Sequence, residues 1–161
     1  MANLTHFDAE GNAVMVDVSN KDVTERIATA EALVLVQPAT MKLIAEGGLK
    51  KGDVLSIAQL AGIMGAKKTP DLIPLCHPLS LSSVVVSLKC DNAQSSVRVT
   101  ATCRVNARTG VEMEALTAAA VASLTVYDMC KAVDRSIQIT DLRVVHKSGG
   151  KSGTFNASSL E

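Results

Sequence analysis

Asp128 and Lys131 stand three residues apart at the end of a run, 115–127, that is small and apolar on every side. Three residues is one helical turn, so the two side chains share a face. A lone buried carboxylate costs several kcal/mol, so Asp128 is expected to need this partner. The plainer reading of the pair is a structural ion pair; the sharper one is an acid/base couple in which each group adjusts the proton affinity of the other. Glu114 precedes Asp128 by fourteen residues, four turns less about 40° on an ideal helix, and is expected on roughly the same face. Glu112 points elsewhere. Both glutamates also sit where a helix starts, and there the dipole favours a carboxylate with no catalytic role.

The lysines follow a second pattern. Lys50 and Lys51 lie between Gly48 and Gly52, Lys67 and Lys68 follow Gly65, and Lys147 and Lys151 bracket Ser148-Gly149-Gly150. Six of the ten lysines thus adjoin glycine-bearing turns. Glycine lets backbone N–H groups approach an anion and lysine brings the charge, which points to a polyphosphate ligand. Lysine and glycine also both favour exposed loops, a plainer reading of any single cluster. The Gly150-Lys151-Ser152 triplet imitates the end of a P-loop, but that pattern needs glycine where Val145 stands, and no helix follows.

His77 lies in a stiff frame, between Pro74 and Pro78. Proline fixes its own φ and drives the preceding residue to extended conformations, so His77 is held rigidly, for packing or for chemistry. Cys76 beside it does not make a metal site, because neighbours on an extended segment face opposite ways and no further ligand has suitable spacing. No metal is expected.

These residues need elements to position them. The 161 residues suit one domain, with polar ends at 1–20 and 150–161 expected to be mobile. Residues 25–37 read as a strand with an alanine-rich, helix-compatible start. Pro38 opens a helix that Gly47-Gly48 stop, and Asp53 caps a second helix ending near Gly65. Thr69-Pro70 begins one more turn. Residues 83–90 and 96–106 alternate around "DNAQ" as a hairpin. A helix runs from Glu112 to about Asp134, and 137–146 is a closing strand. This order predicts an α+β, ferredoxin-like sandwich with helices on one face of an antiparallel sheet.

Composition narrows the classes further. Formal net charge is zero, and the aromatics are Phe7, Tyr127 and Phe155 alone, which argues against nucleic-acid and membrane binding. Four cysteines without a C-x-x-C pair or a leader read as reduced thiols in a cytoplasm.

The segments "DLIPLCHPL" (71–79), "TGVEMEALTAA" (109–119), "YDMCKAV" (127–133) and "KSGGKSG" (147–153) together resemble the MoaC-type cyclic pyranopterin monophosphate synthase family. The likeness extends to "THFDAEGNAVMVDVS" and "KKGDVLSIAQLAGIMGAKKT". It implies rearrangement of 3′,8-cyclo-7,8-dihydro-GTP to cyclic pyranopterin monophosphate with loss of pyrophosphate, in molybdenum-cofactor biosynthesis. It further implies Lys51, Asp128 and Lys131 as the catalytic group. Arg26, Lys67, Leu75, Cys76, His77, Glu112, Met113, Glu114 and Lys147 would line the substrate pocket, with Asp17 as a lesser match. No cofactor is implied beyond Mg²⁺ that can accompany the triphosphate. The family also implies a hexamer, a trimer of dimers with the pocket at the dimer interface. A non-catalytic module that binds a nucleotide or pterin is the competing reading; it needs neither the Asp128–Lys131 couple nor a base at Lys51.

Overall fold

The computed structural model describes residues 5–47 and 53–158. Its elements run β1 (Thr24–Leu35), α1 (Pro38–Ala45), α2 (Val54–Lys67), α3 (Thr69–Leu72), β2 (Ser83–Asp91), β3 (Ser96–Ala107), α4 (Glu112–Cys130), β4 (Gln138–Ser148) and β5 (Phe155–Asn156). The sheet order is β2-β3-β1-β4-β5, antiparallel at every pairing. The helices lie on one of its faces, so the first four strands and the flanking helices form the expected ferredoxin-like sandwich.

Alternation explains β1, whose alanines left a helical start open. Ala28, Ala30, Ala32 and Val34 are buried toward the helices, while Thr29, Glu31 and Leu33 turn to the other face. That second face is polar: Thr29 and Thr102 share a hydrogen bond of 2.8 Å across the strands, and Arg98 pairs with Glu31 at 3.4 Å. Small side chains on β1 meet small side chains on α4, where Ala115, Ala118, Ala119 and Ala122 are fully buried. Backbones therefore approach closely, and the core is made of many thin contacts rather than a few large ones.

Asp53 caps α2 as expected, its Oδ1 accepting from Leu55 and Ser56 N–H. Gly65 does not end the helix. A Cβ there would lie 2.8 Å from Val121 Cγ2, and one at Gly62 would lie 2.9 Å from the Ala118 carbonyl oxygen. Both glycines are contact points between α2 and α4, and α2 runs on to Lys67. Another correction concerns the long helix, which stops at Cys130 rather than near Asp134. The 131–134 segment turns instead, with Asp134 drawn inward. Its buried carboxylate accepts from Gln37 N–H at 2.8 Å and from Ser136 N–H at 2.9 Å, tying the start of α1 to the approach to β4. The closing strand continues two residues further than expected, to Ser148, and pairs with β5.

Candidate active site

Three remote segments meet at the N-terminal end of α4. The irregular 73–79 stretch, the first turn of α4 and the end of β4 line a cavity of about 790 Å³ with Leu75, Cys76, His77, Glu112, Met113 and Lys147. Val16, Val18 and Lys21 close it from the N-terminal arm. A second cavity of about 500 Å³ adjoins, lined by Arg26, Arg108, Gly149, Gly150 and Lys151 among others. Lys21, Thr109, Gly110, Glu112 and Lys147 belong to both.

Lys147 Nζ donates to Glu112 Oε1 at 2.9 Å. Both side chains are about one-third exposed, so the pair contributes about 1 kcal/mol or less and can be exchanged for another anion. His77 Nε2 lies 2.8 Å from the Val16 carbonyl. A carbonyl only accepts, so Nε2 carries the hydrogen and donates it to Val16. The prolines therefore serve a histidine that faces a cavity and holds the arm across it.

Glu114 is 2 % exposed, and neither carboxylate oxygen finds a hydrogen-bond partner among the described residues. Burial raises its pKa above the ordinary 4.5, with the Glu112 charge adding to the shift. Burial, then the Glu114 and Glu112 charges, likewise raises the Cys76 thiol, which argues against a thiolate nucleophile there. Cys103 is pushed up to about 12 by burial and by Glu114.

Asp128 and Lys131 do pair, at 2.6 Å, but the expected burial is absent: their side chains are 61 % and 53 % exposed. In the last turns of α4 Val126, Met129 and Cys130 are buried while Leu124, Tyr127, Asp128 and Lys131 form an exposed stripe, so Asp128 is exposed although Glu114, on nearly the same helical face, is covered. The hydrogen bond from Lys131 to Asp128, then the attraction of that carboxylate, raises the Lys131 pKa. Sixteen residues of helix separate Asp128 from Glu112, about 24 Å along the axis. One chain therefore does not bring the pair to the cavity.

Lys67 lines a neighbouring hollow of about 440 Å³ with Leu79, which also borders the larger cavity. Asp17 is exposed and accepts from Ser19 Oγ and N–H, which hold its carboxyl below the usual range. Lys51 lies outside the described residues. Among the described residues no group of three or more His, Cys, Asp or Glu is placed to hold a metal ion.

Sequence reasoning missed Lys21 and Arg108. Arg108 Nε donates to the Lys21 carbonyl at 3.0 Å, which sets the lysine where the two cavities meet. Extending the lysine–glycine signal to arginine would have found Arg108, two residues before Gly110; nothing in the sequence marks Lys21.

The MoaC family model matches residues 15–150. A cyclic pyranopterin monophosphate synthase of Rhodospirillum rubrum is 67 % identical over 96 % of this chain and 93 % of its own length. Those of Dinoroseobacter shibae and Parvibaculum lavamentivorans are 58 % identical over 98 % of this chain and 99 % of their own, and 60 % over 96 % of each, respectively. From the family match and these near full-length relatives, the chain belongs to the MoaC family.

Proposed function

We propose that this chain is an enzyme converting 3′,8-cyclo-7,8-dihydro-GTP to cyclic pyranopterin monophosphate, with release of pyrophosphate, in molybdenum-cofactor biosynthesis. The observation that carries the reading is the convergence of His77, Glu112, Met113 and Lys147, from three distant segments, on one cavity of about 790 Å³. Near full-length relatives that bear the name of this activity support it.

Opening and reclosing a purine-derived ring requires proton transfers at nitrogen and oxygen, and positioned acids and bases accelerate each by about 10²–10⁴-fold. Lys51 is assigned as the base, since a lysine crowded by cations loses proton affinity. Lys131, kept protonated by Asp128, is suited to give a proton or to steady an anion. Lys67, Arg26 and Lys147 hold the triphosphate, and His77, Leu75, Cys76, Met113 and the two glutamates hold the ring system. Glu112 accepts a hydrogen bond from the ring system once Lys147 has turned to phosphate.

A second copy accounts for the rise of about 24 Å along α4 between Glu112, at the cavity, and Asp128. In the assembly we propose, a hexamer built as a trimer of dimers, Asp128 and Lys131 of the partner reach the cavity. Exposed Leu124 and Tyr127 on α4, with Ile57, Leu60 and Met64 on α2, suit burial between copies. The reading needs no resident cofactor; any Mg²⁺ arrives with the substrate. We assign it to the cytoplasm, where Cys76, Cys90, Cys103 and Cys130, none of them in a disulfide among the described residues, stay reduced.

Incubating the purified protein with the cyclised GTP derivative tests this: pyrophosphate and the cyclic phosphate are expected, and turnover is expected to be lost in Lys51→Ala. A protein that binds the compound but yields neither product is the non-catalytic module.

A further inference from the structure

Asp134 is a buried carboxylate with no part in the proposed chemistry, and it stands just past the end of α4. Its Oδ2 accepts from Gln37 N–H at 2.8 Å. Its Oδ1 accepts from Ser136 N–H at 2.9 Å and from Ser136 Oγ at 2.7 Å. The Thr40 hydroxyl donates to the same carboxylate. Every one of these partners is a donor, so the surroundings fit the ionised form. An amide in its place would turn its NH₂ toward a backbone N–H whichever way it faced.

Two elements meet at this carboxylate. Gln37, the N-cap of α1, makes no side-chain cap of its own. Asp134 supplies the missing acceptor from outside, at a helix N-terminus that favours an anion. Gln37 Nε2 in turn donates to Ser136 Oγ at 3.1 Å, which closes the cap from its other side. The second element is the end of α4. The carbonyl of Cys130, a fully buried residue, accepts from Val133 N–H at 2.9 Å and from Asp134 N–H at 3.0 Å. Lys131, Ala132 and Val133, between those two buried residues, are exposed. Lys131 thus stands on a short turn pinned at both ends, by Cys130 and by Asp134, and its own N–H is bonded to the Tyr127 carbonyl at 2.8 Å. On that fixed backbone the ammonium meets Asp128 Oδ1 at 2.6 Å, although both side chains are more than half exposed. On a loose turn, side-chain entropy and solvent would dissolve so exposed a pair.

We propose that Asp134 is a positioning residue for the Asp128–Lys131 couple: by fastening the 131–134 turn to the start of α1, it holds the Lys131 ammonium against Asp128. The catalytic consequence rests on the function proposed above; the positioning itself rests on the hydrogen bonds. Gln37, Thr40, Asp134 and Ser136 line neither of the cavities at the other end of α4. Loss of the anchor therefore disturbs the couple and leaves the cavity residues in place.

Nitrogen-15 NMR of the lysine ammonium groups in the full-length protein, at mildly acidic pH, reads the couple without any turnover. An ammonium held by a carboxylate gives a signal apart from the free lysines, and the Lys131 signal is assigned by its loss in Lys131→Arg. Asp134→Asn is expected to return that signal toward the free position, as Asp128→Asn does by removing the partner itself. Gly62→Ala, which strains the α2–α4 contact instead, is expected to lower the melting temperature and leave the Lys131 signal where it is. In turnover of the cyclised GTP derivative, Asp134→Asn is expected to lower kcat about tenfold and to keep KM within about twofold, the mark of a displaced reacting group beside an intact binding cavity. Ser136→Ala removes two of the bonds around the anchor and is expected to move both readouts the same way by less; it carries the test should Asp134→Asn fail to fold. A Lys131 signal unmoved in the folded variants overturns the proposal, and so does an equal displacement in Gly62→Ala. Displacement of the signal in a protein that forms no cyclic product keeps the positioning and loses the function. An active protein whose kcat is unchanged in both anchor variants keeps the function and loses the positioning.

Discussion

Glu114 is a buried carboxyl group with no hydrogen-bond partner among the described residues, in the first turn of the helix that carries the site. Burial raises its pKa, so between 4.5 and the raised value the folded chain holds a proton that the unfolded chain has lost. Its effect on stability therefore runs opposite to that of a salt-bridged acid: stability falls as pH rises from about 4.5 through the folded value. Glu114→Gln removes that dependence. Thermal melts across pH 4 to 8 are expected to show a flatter profile in the variant, with each kcal/mol recovered at high pH worth about 2–4 °C. Parallel profiles for the two proteins would mean that Glu114 stays ionised in the fold. The sequence placed a carboxylate on this helix but not its solitude, because burial depends on what α2 and the sheet lay over it.

Element boundaries depend on single contacts of this kind. Asp134 is 1 % exposed and fastens α1 to the approach to β4. Burial pushes its pKa up, but the Gln37 N–H and the Ser136 hydroxyl and N–H outweigh this and lower it overall. Stability from Asp134 is thus present above its ordinary 3.8 and is lost as pH falls through the depressed value. Asp134→Ala is expected to cost about 1–3 kcal/mol at pH 7, by urea melts, and to shrink the acid-unfolding step. Gly62 gives a second test. Alanine gains about 1 kcal/mol of helix propensity, but its Cβ meets the Ala118 carbonyl oxygen at 2.9 Å, and backbone does not yield. A net loss of about 1–2 kcal/mol is expected for Gly62→Ala, and a gain in stability would show that α2 and α4 can part without cost. Periodicity revealed both helices; it did not reveal that Gly65 is a contact rather than a terminus, because a glycine reads alike in either role until the opposing helix is in place.

At the scale of the whole molecule, the decisive separation is the rise of about 24 Å along α4 from Glu112, at the cavity, to Asp128, and the proposed dimer predicts how inactive variants combine. His77→Ala and Asp128→Asn are each expected to be nearly inactive alone. Co-expressed as mixed oligomers, they are expected to recover about a quarter of wild-type activity, since half the dimers are mixed and each has one intact site of two. No recovery would place both residues of a working site on one chain.

Much of this protein is determined locally. The alternation of β1 and of the 83–107 hairpin, the cap at Asp53, the proline at the start of α1 and the small-residue run of α4 each specify an element through its immediate neighbours, and together they specify the sandwich. Spacing alone also paired Lys131 with Asp128, because one helical turn is a local distance. What only the tertiary structure decided is which of these groups meet. Glu112 and Lys147, thirty-five residues apart, share a bond; Asp128 and Glu114, fourteen apart on one helix, are left at opposite ends, one exposed and one buried. Separation along a chain constrains space only within an element. Beyond it, the packing of small residues between sheet and helices sets which side chains face a common cavity and which await a second copy.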